Sequence, residues 1–469
     1  MQPRQLWRDV SLAVLGLLLA GALALLAVTA PALPASRLGV AAVGVVGVVF
    51  VGSVAYVGLR ADPAYIFTLG IVLSPFAGNW QQVGIPGALA PDRLLIVGGI
   101  ASVLLRQLFR RDEPRIRLEP VHYVLAAAAV YALISADVAG TLLHKDSFLR
   151  LVEAFGINPF LVFLLAPVVF RTPRERNVLL AGLVALGIYL GLTVVFEIYG
   201  PHSLVFPAYI DDPSYGIHVD RGRGPFVEAV TNGFGLFTCA VACCVAMATW
   251  RGRGVRRLAA ATAALCLAGT VLTFERSVWV GVVLAGLAGM AAAPRLRRFL
   301  PVAVAAGAVA VLVALAVVPG LSAKIHDRAD DRGPVDDRAN LARAALNMVE
   351  ARPLTGFGWA EFPTKSRDYF TLDRNRPLTA VGEGVHNFFL SYAAELGLPG
   401  VTLWVLGLLL GVGGALLTRA PPELEPWRLG LVPIAVFFLI AASFVPANVF
   451  PNLMLWLWTG VVWRSRYVR

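Results

Sequence analysis

The sequence is poor in charged residues, histidine and cysteine. Charged side chains make up 15% of its 469 residues, whereas 58% are hydrophobic and the mean hydropathy is +0.73. Soluble domains carry about 25% charged residues, so this composition excludes the soluble globular class. Apolar runs of about 20 residues, which is the length needed to cross a bilayer, recur from end to end. The sequence therefore predicts an all-α polytopic integral membrane protein.

The few cysteines argue against two kinds of site, a cysteine metal site and a structural disulfide. All four cysteines fall inside apolar runs, where we expect buried small hydrophobic residues. No histidine or further thiol accompanies them at ligand spacing, so we predict no metal site and no cofactor. The loops assigned below to the outer side contain no cysteine, which excludes structural disulfides there. The four are Cys239, Cys243, Cys244 and Cys266.

Fourteen spans are predicted, with an error of about two, so the expected number is about 12–14. The first run lacks a convincing cleavage site and is expected to remain as a span. The run at 387–417 is long enough to be an interfacial helix followed by a span. The predicted spans are 9–30, 37–59, 63–78, 91–109, 120–140, 150–170, 177–199, 227–250, 257–274, 277–293, 299–319, 387–417, 428–446 and 451–463.

Lysine and arginine set the predicted orientation, because basic loops stay in the cytoplasm. The basic clusters fall on one side of the span list, which places both termini in the cytoplasm. Topology thus explains the net charge of +11 and gives no reason to invoke nucleic acid. The clusters are RQLFRRDEPRIR (106–117), RTPRER (171–176), RGRGVRR (251–257), RLRR (295–298) and WRSRYVR (463–469).

Two long polar loops, 200–226 and 320–386, lie on the outer side of this topology. We expect transmembrane helices 1–11 in residues 1–319, an outward loop with short helices at 320–386, and the C-terminal transmembrane helices at 387–469. Long loops in compact proteins usually bind or cover something. Within the second loop, residues 338–353 predict an amphipathic helix that roofs a cavity along the outer membrane surface. Its apolar face is Leu341, Ala344, Ala345, Met348 and Val349.

Ionisable residues cluster at the predicted outer ends of the spans. A charged side chain at such a depth is energetically costly, so its presence suggests a functional role. Any chemistry is therefore expected at the outer leaflet. The residues concerned are Asp137, Glu153, Glu197, Glu228, Glu275 and Arg276.

Three arginines on the outer side stand out, one of them from this set. Arg276 and Glu275 form the whole polar turn in TVLTFERSVWVGV (270–282), and Arg221 and Arg223 alternate with glycine in IHVDRGRGPFVEAVTNG (217–233). Arginine's planar fork suits phosphate, and glycine permits close approach of an anion. The alternatives are a snorkelling interface anchor for Arg276 and a flexible surface turn for the other two.

One of the six histidines stands just before an apolar run, in VGEGVHNFFLSYAAELGLPG (381–400). Histidine is well matched to proton transfer near neutral pH. A loop histidine taken alone is more often simply solvated. His386 is therefore a catalytic candidate only together with the arginines on the same side.

The order of these motifs resembles the O-antigen ligase and O-antigen polymerase superfamily over about residues 220–402. The series is RGRGPF (221–226) with Asn232, FERSVWVG (274–281), ARPLTGFGWAEF (351–362) and EGVHNFFLSYAAELGLPGV (383–401). In that family the first motif usually continues into a Pro-Asn pair, where this chain has VTNG (230–233). Both Arg221 and Arg223 therefore remain matches for its arginine.

The resemblance implies an inverting, metal-independent glycosyltransferase of the GT-C type in the bacterial cytoplasmic (inner) membrane. Its donor would be a glycan linked to a polyprenyl diphosphate such as undecaprenyl diphosphate. Its acceptor would be a lipid or glycan hydroxyl at the periplasmic or exterior face. Arg276 and either Arg221 or Arg223 would bind the diphosphate, and His386 would be the general base.

Four further residues receive secondary assignments. Glu383 and Glu275 are secondary site candidates. Asn387 is expected to orient His386 or to cap the next helix, and capping is favoured. Glu395 is expected to pair with an arginine or to face water.

The main alternative is a transporter or flippase for a polyprenyl-linked lipid or oligosaccharide. Transporters tend to show internal repeats and broken helices near the midplane, and no repeat links the two halves here. A structural scaffold would leave the motif order unexplained. Ligase and polymerase share the donor and are not separated by the sequence.

Overall fold

The structure is a computed structural model that describes residues 60–109, 115–216, 219–317, 333–371, 381–444 and 449–464. All regular secondary structure in these residues is helical. The helices are α1 (Pro63–Leu73), α2 (Pro91–Phe109), α3 (Pro120–Val138), α4 (Lys145–Leu149), α5 (Ile157–Val169), α6 (Pro173–Tyr199), α7 (Ala229–Thr249), α8 (Arg253–Leu272), α9 (Arg276–Ala292), α10 (Leu300–Val317), α11 (Gly333–Ala351), α12 (Phe362–Lys365), α13 (Phe388–Leu408), α14 (Gly414–Leu417), α15 (Glu425–Ala442) and α16 (Val449–Trp463).

The predicted spans correspond to these helices. The first two, 9–30 and 37–59, lie outside the described residues, and helix occupies each of the other twelve. Within the part of the chain described, seven helical stretches are long and apolar enough to cross a bilayer. Three shorter apolar helices accompany them, at Pro63–Phe76, Arg276–Ala292 and Val449–Trp463. The structure therefore confirms the prediction of an all-α polytopic membrane protein.

Local sequence explains where several helices begin. Thr172 and Glu175 form a reciprocal capping box before α6, and Pro173 takes the first helical position, where it loses no hydrogen bond. Glu228 caps α7 by accepting from the backbone N–H groups of Val230 and Thr231 at 3.1 and 2.7 Å. These side chains satisfy donors that a helix N-terminus leaves without intrahelical partners.

Two predicted spans are interrupted. Between α4 and α5 the chain forms a π-helical segment, Arg150–Phe155, which ends at Gly156 with φ 146°. Helix α13 is broken at Gly397, where φ is 70° and ψ is 178°. The long run at 387–417 is therefore two helical pieces, which we call half-helix 388–396 and the segment after Gly397.

Helix α16, at the short predicted span 451–463, forms the centre of the bundle. Every residue from Phe450 to Trp463 is buried. A helix that is apolar on all sides belongs inside the protein, where 15 residues suffice. Cys239, Cys243 and Cys266 are buried as predicted, whereas Cys244 lies exposed on α7, so its predicted burial is wrong.

The amphipathic helix predicted at 338–353 lies within α11. Its apolar residues Leu341, Ala344, Ala345 and Met348 are fully buried. They pack with Phe362, Val385 and Ala394, so this face lies against half-helix 388–396. Protein, and not lipid, covers the apolar stripe of α11.

The helices place their connections at two opposite ends. At one end, Trp250 after α7 donates to Asn177 of α6 at 3.1 Å, and Arg176 pairs with Glu423 at 3.3 Å. We call this the basic end, because the clusters at 171–176 and 251–257 lie there. The other end carries residues 200–216, 219–228, 273–276 and 381–387, and we call it the site end.

Candidate active site at the site end

The RGRGPF loop is held between four helices at the site end. The backbone N–H of Gly222 donates to the carbonyl of Leu272 at the end of α8, at 3.0 Å. Asn232 of α7 donates back to the carbonyl of Gly222 at 2.9 Å. Gly224 has φ 54°, and a Cβ there would lie 2.6 Å from the Asn232 side-chain oxygen, so only glycine fits. The loop is rigidly placed, which argues against a flexible surface turn.

Arg223 is a buried component of this loop, with 1% of its surface exposed. Its guanidinium donates to the carbonyls of Tyr215 at 2.5 Å and Ile210 at 2.6 Å. The carboxylate of Glu197 accepts from the backbone N–H groups of Arg223 and Gly224, each at 3.0 Å. Glu197 and Arg223 thus fold the loop onto the end of α6.

Arg221 points to the start of α9 instead. Its guanidinium forms an ion pair with Glu275, the residue immediately before α9, and 14% of the Arg221 side chain is exposed. Arg276 follows as the first helical residue; it is exposed and makes no hydrogen bond or ion pair to the described residues. Arg221, Glu275 and Arg276, which we call the arginine cluster, therefore place two guanidinium groups at one helix N-terminus.

The first turn of α9 adds polar groups to the arginine cluster. The Ser277 hydroxyl is buried and has no hydrogen-bond partner among the described residues. A helix N-terminus also presents backbone N–H groups and a partial positive charge, which together favour an anion. The arrangement has the donors and the charge that a phosphate group needs.

His386 lies at the start of another helix at the same end. Asn387 caps α13, because its side-chain oxygen accepts from the backbone N–H of Leu390 at 3.0 Å, and the predicted capping role is confirmed. The His386 side chain is 29% exposed, and its Nε2 lies 3.9 Å from a carboxylate oxygen of the exposed Glu383.

The surroundings of His386 keep its imidazole neutral. Burial and, after it, the positive charge of Arg338 on α11 lower the pKa of His386 below its usual 6.5, against the raising effect of Glu383. A neutral imidazole carries a lone pair that can accept a proton at pH 7. His386 is thus in the protonation state of a general base.

Helix α15 packs against both helices that begin at the site end, α9 and α13. Phe437 of α15 packs against Gly281, in the second turn of α9. The next residue, Phe438, contacts the ring of Phe388 at the start of α13, with ring centroids 6.0 Å apart. The N-termini of α9 and α13 therefore flank the same turn of α15.

The partners of several charged residues at this end were not predicted. Glu395 pairs with an arginine, as expected, and the partner is Arg150 of the π-helical segment. Glu153 of the same segment pairs with Arg93 of α2. Arg338 of α11 faces His386, and a single sequence does not show which loop charge lies near a histidine.

One small cavity lies beside the ion pair of Arg93 and Glu153. A cavity of about 10 Å³ lies beside Asp92, Arg93, Glu153 and Asn158, and such a space holds about one water molecule. Among the described residues, no group of three or more His, Cys, Asp and Glu side chains has the arrangement of a metal site.

Comparison with known proteins agrees with the motif series. A family model described as O-antigen ligase matches residues 261–405, which include the arginine cluster's Glu275 and Arg276 together with His386 and both halves of α13. No curated protein matches the chain. The match confirms the resemblance seen in the motifs: residues 261–405 of this polytopic membrane protein are similar to the O-antigen ligase family.

Proposed function

We propose that the protein transfers a glycan from a polyprenyl-diphosphate-linked donor to an acceptor hydroxyl at the outer face of the cytoplasmic membrane. The observation that carries the proposal is that a helix N-terminus with two arginines and the half-buried His386 lie at the same end of the bundle. The O-antigen ligase domain supports a glycosyl-transferring enzyme.

The diphosphate of the donor binds at the arginine cluster. Glu275 holds the Arg221 guanidinium next to Arg276, so two positive charges meet the phosphate oxygens at the start of α9. The leaving diphosphate gains negative charge as the anomeric C–O bond breaks, and fixed guanidinium groups stabilise that charge. Arg223 is assigned to the loop and not to the donor, because its guanidinium is buried on backbone carbonyls.

His386 activates the acceptor. Its neutral ring nitrogen removes the proton of the acceptor hydroxyl while that oxygen attacks the anomeric carbon. The bond to the diphosphate breaks with its electron pair, polyprenyl diphosphate leaves, and the imidazolium then loses its proton to water. Attack opposite the leaving group inverts the anomeric centre. Both termini are cytoplasmic in this proposal, as the basic clusters indicate.

The test is release of polyprenyl diphosphate by purified protein in nanodiscs supplied with lipid-linked glycan and acceptor. We expect His386→Ala to lower kcat by about 100- to 10,000-fold, the usual contribution of a general base. His202→Ala is the matched control, because His202 is an exposed loop histidine that pairs with Asp211 at 2.8 Å.

Two results would contradict the proposal. Undiminished turnover in His386→Ala would remove the base. Movement of labelled lipid between leaflets without a new glycosidic bond would instead support the transporter alternative.

A further inference from the structure

The half-helix that follows His386 is short and broken at its far end. Residues 388–396 make little more than two helical turns before Gly397 leaves helical geometry. Isolated helices of this length are unstable in water. This half-helix is also not continuous with the segment after Gly397, so it does not fix its own orientation. Contacts from elsewhere in the chain must therefore fix where His386 stands.

Part of this support comes from the turn before α12. Phe357 and Gly358 donate backbone hydrogen bonds to the carbonyls of Ala394 and Glu395, at 3.0 and 2.9 Å. The close approach requires glycine at 397, where a Cβ would lie 2.6 Å from the Leu354 carbonyl oxygen. This turn satisfies carbonyl groups at the broken end of the half-helix, as exposed backbone inside a membrane protein requires.

The rest of the support comes from the π-helical segment in the first half of the chain. Arg150 donates to both carboxylate oxygens of Glu395, at 3.0 and 2.8 Å, and to the hydroxyl of Ser391 at 3.2 Å. Ser391 and Glu395 are four residues apart, so the guanidinium spans one full turn on one face. A guanidinium group bound to two residues one turn apart resists both rotation and tilting of the half-helix.

Arg150 is itself held in position. Its guanidinium lies over the ring of the fully buried Trp359, 4.7 Å from the centroid. Trp359 in turn donates from its indole N–H to the carbonyl of Ser147 at 3.0 Å. Backbone carbonyls at the end of the π-helical segment also accept hydrogen bonds from α13. The Tyr392 hydroxyl donates to the carbonyl of Ala154 at 3.4 Å, and the Trp404 indole N–H donates to the carbonyl of Phe155 at 3.1 Å.

We infer that Arg150 is a positioning residue that sets the place of His386 by bracing half-helix 388–396. The inference deepens the proposed function and rests on it. Arg150 lies outside residues 261–405, so the site would draw on a residue that the matched region does not contain. Lysine cannot replace it fully, because a single ammonium group does not reproduce the planar fork.

The test compares Arg150→Met with Arg93→Met. Arg93 is a matched control, because it pairs with Glu153 of the same π-helical segment but lies on α2, and its polar partners are Glu153 and the carbonyl of Gly87 and not α13. We expect Arg150→Met to lower kcat about 100-fold with the donor KM nearly unchanged, since a displacement of about 1 Å has this effect on a reacting group. Arg93→Met should leave kcat close to the wild-type value.

A double variant separates positioning from stability. Arg150→Met strands the buried Glu395 carboxylate, which destabilises the fold, and Arg150→Met combined with Glu395→Met removes that stranded charge. We expect the double variant to recover thermal stability while kcat stays low, and Arg150→Lys to recover kcat in part. Full recovery of kcat in the double variant would overturn the inference, because the loss would then have come from instability.

A labelling experiment tests the same bracing without relying on transfer. His386→Cys is introduced with Cys244→Ser, which removes the exposed native thiol, and the rate of maleimide labelling is measured. We expect Arg150→Met to raise this rate about tenfold by local opening and Arg93→Met to leave it unchanged. Equal rates in the two backgrounds would overturn the inference, whereas absence of transfer by the wild-type protein would overturn only the proposed function.

Discussion

The arginine cluster and the surroundings of His386 are built in different ways. Glu275 and Arg276 are neighbours in the chain at the start of one continuous helix, and a single loop adds Arg221. His386 instead depends on a broken helix and on groups far away in sequence, among them Arg150, Arg338 and the turn at 353–358. The candidate anion site therefore rests on one continuous helix and one loop arginine, whereas the placement of His386 depends on contacts that several parts of the chain make with a broken helix. Mutations should affect the two regions differently.

The largest expected effect comes from a substitution at Gly397, the residue at which α13 is broken. Gly397→Ala places a methyl group against the Leu354 carbonyl at a backbone conformation that costs alanine about 1–3 kcal/mol, so the turn must move. We expect transfer to fall about 100-fold while donor binding persists, because only the region of the base is displaced. Gly413→Ala is the matched control, since no atom lies within 4 Å of a Cβ there.

The measurement is turnover together with binding of lipid-linked donor by the same protein. Loss of donor binding in Gly397→Ala would show that the two regions are not independent. Normal turnover would show that the break has no part in placing His386.

An intermediate effect is expected at the arginine cluster. Arg276→Ala removes a charged donor worth about 1.5–3 kcal/mol, so donor affinity should fall about 10- to 100-fold. Arg276→Lys should recover affinity only in part, because it loses the planar fork. Direct titration with the lipid-linked donor measures both variants. Normal affinity and rate in Arg276→Ala would leave it as a snorkelling anchor of α9.

The same contrast explains how far the sequence could be interpreted. Hydropathy located the spans, because lipid imposes the same apolar length on every exposed helix. It could not rank α16 as central, since burial in protein and burial in lipid select the same residues. Motif order singled out His386, Arg276 and the pair Arg221 and Arg223 as candidates. It left Arg223 equivalent to Arg221, because a single sequence does not show which guanidinium turns inward to the carbonyls of residues 210 and 215.

Arg150 and Arg338 illustrate the same limit. Arg150 lies 245 positions from Glu395, and nothing in the sequence near residue 150 points to that partner. Arg338 belongs to a charged run whose default interpretation is solvated surface. Both are tertiary neighbours of the His386 region, so their roles become visible only when α11, α13 and the π-helical segment are placed together.

The smallest expected effect is a displacement of the pH profile. A general base works only while neutral, so activity falls as the pH drops through the pKa of His386, which burial and Arg338 lower. Arg338→Gln removes a positive charge that favours the neutral imidazole; the pKa of His386 should rise and the acid limb of kcat should move to higher pH. Glu383→Gln removes a negative charge that favours the imidazolium, and the limb should move to lower pH.

The plateau at high pH should be unchanged in both variants, because the base is neutral there. Shifts in the same direction, or a profile insensitive to both changes, would mean that a group other than His386 sets the acid limb.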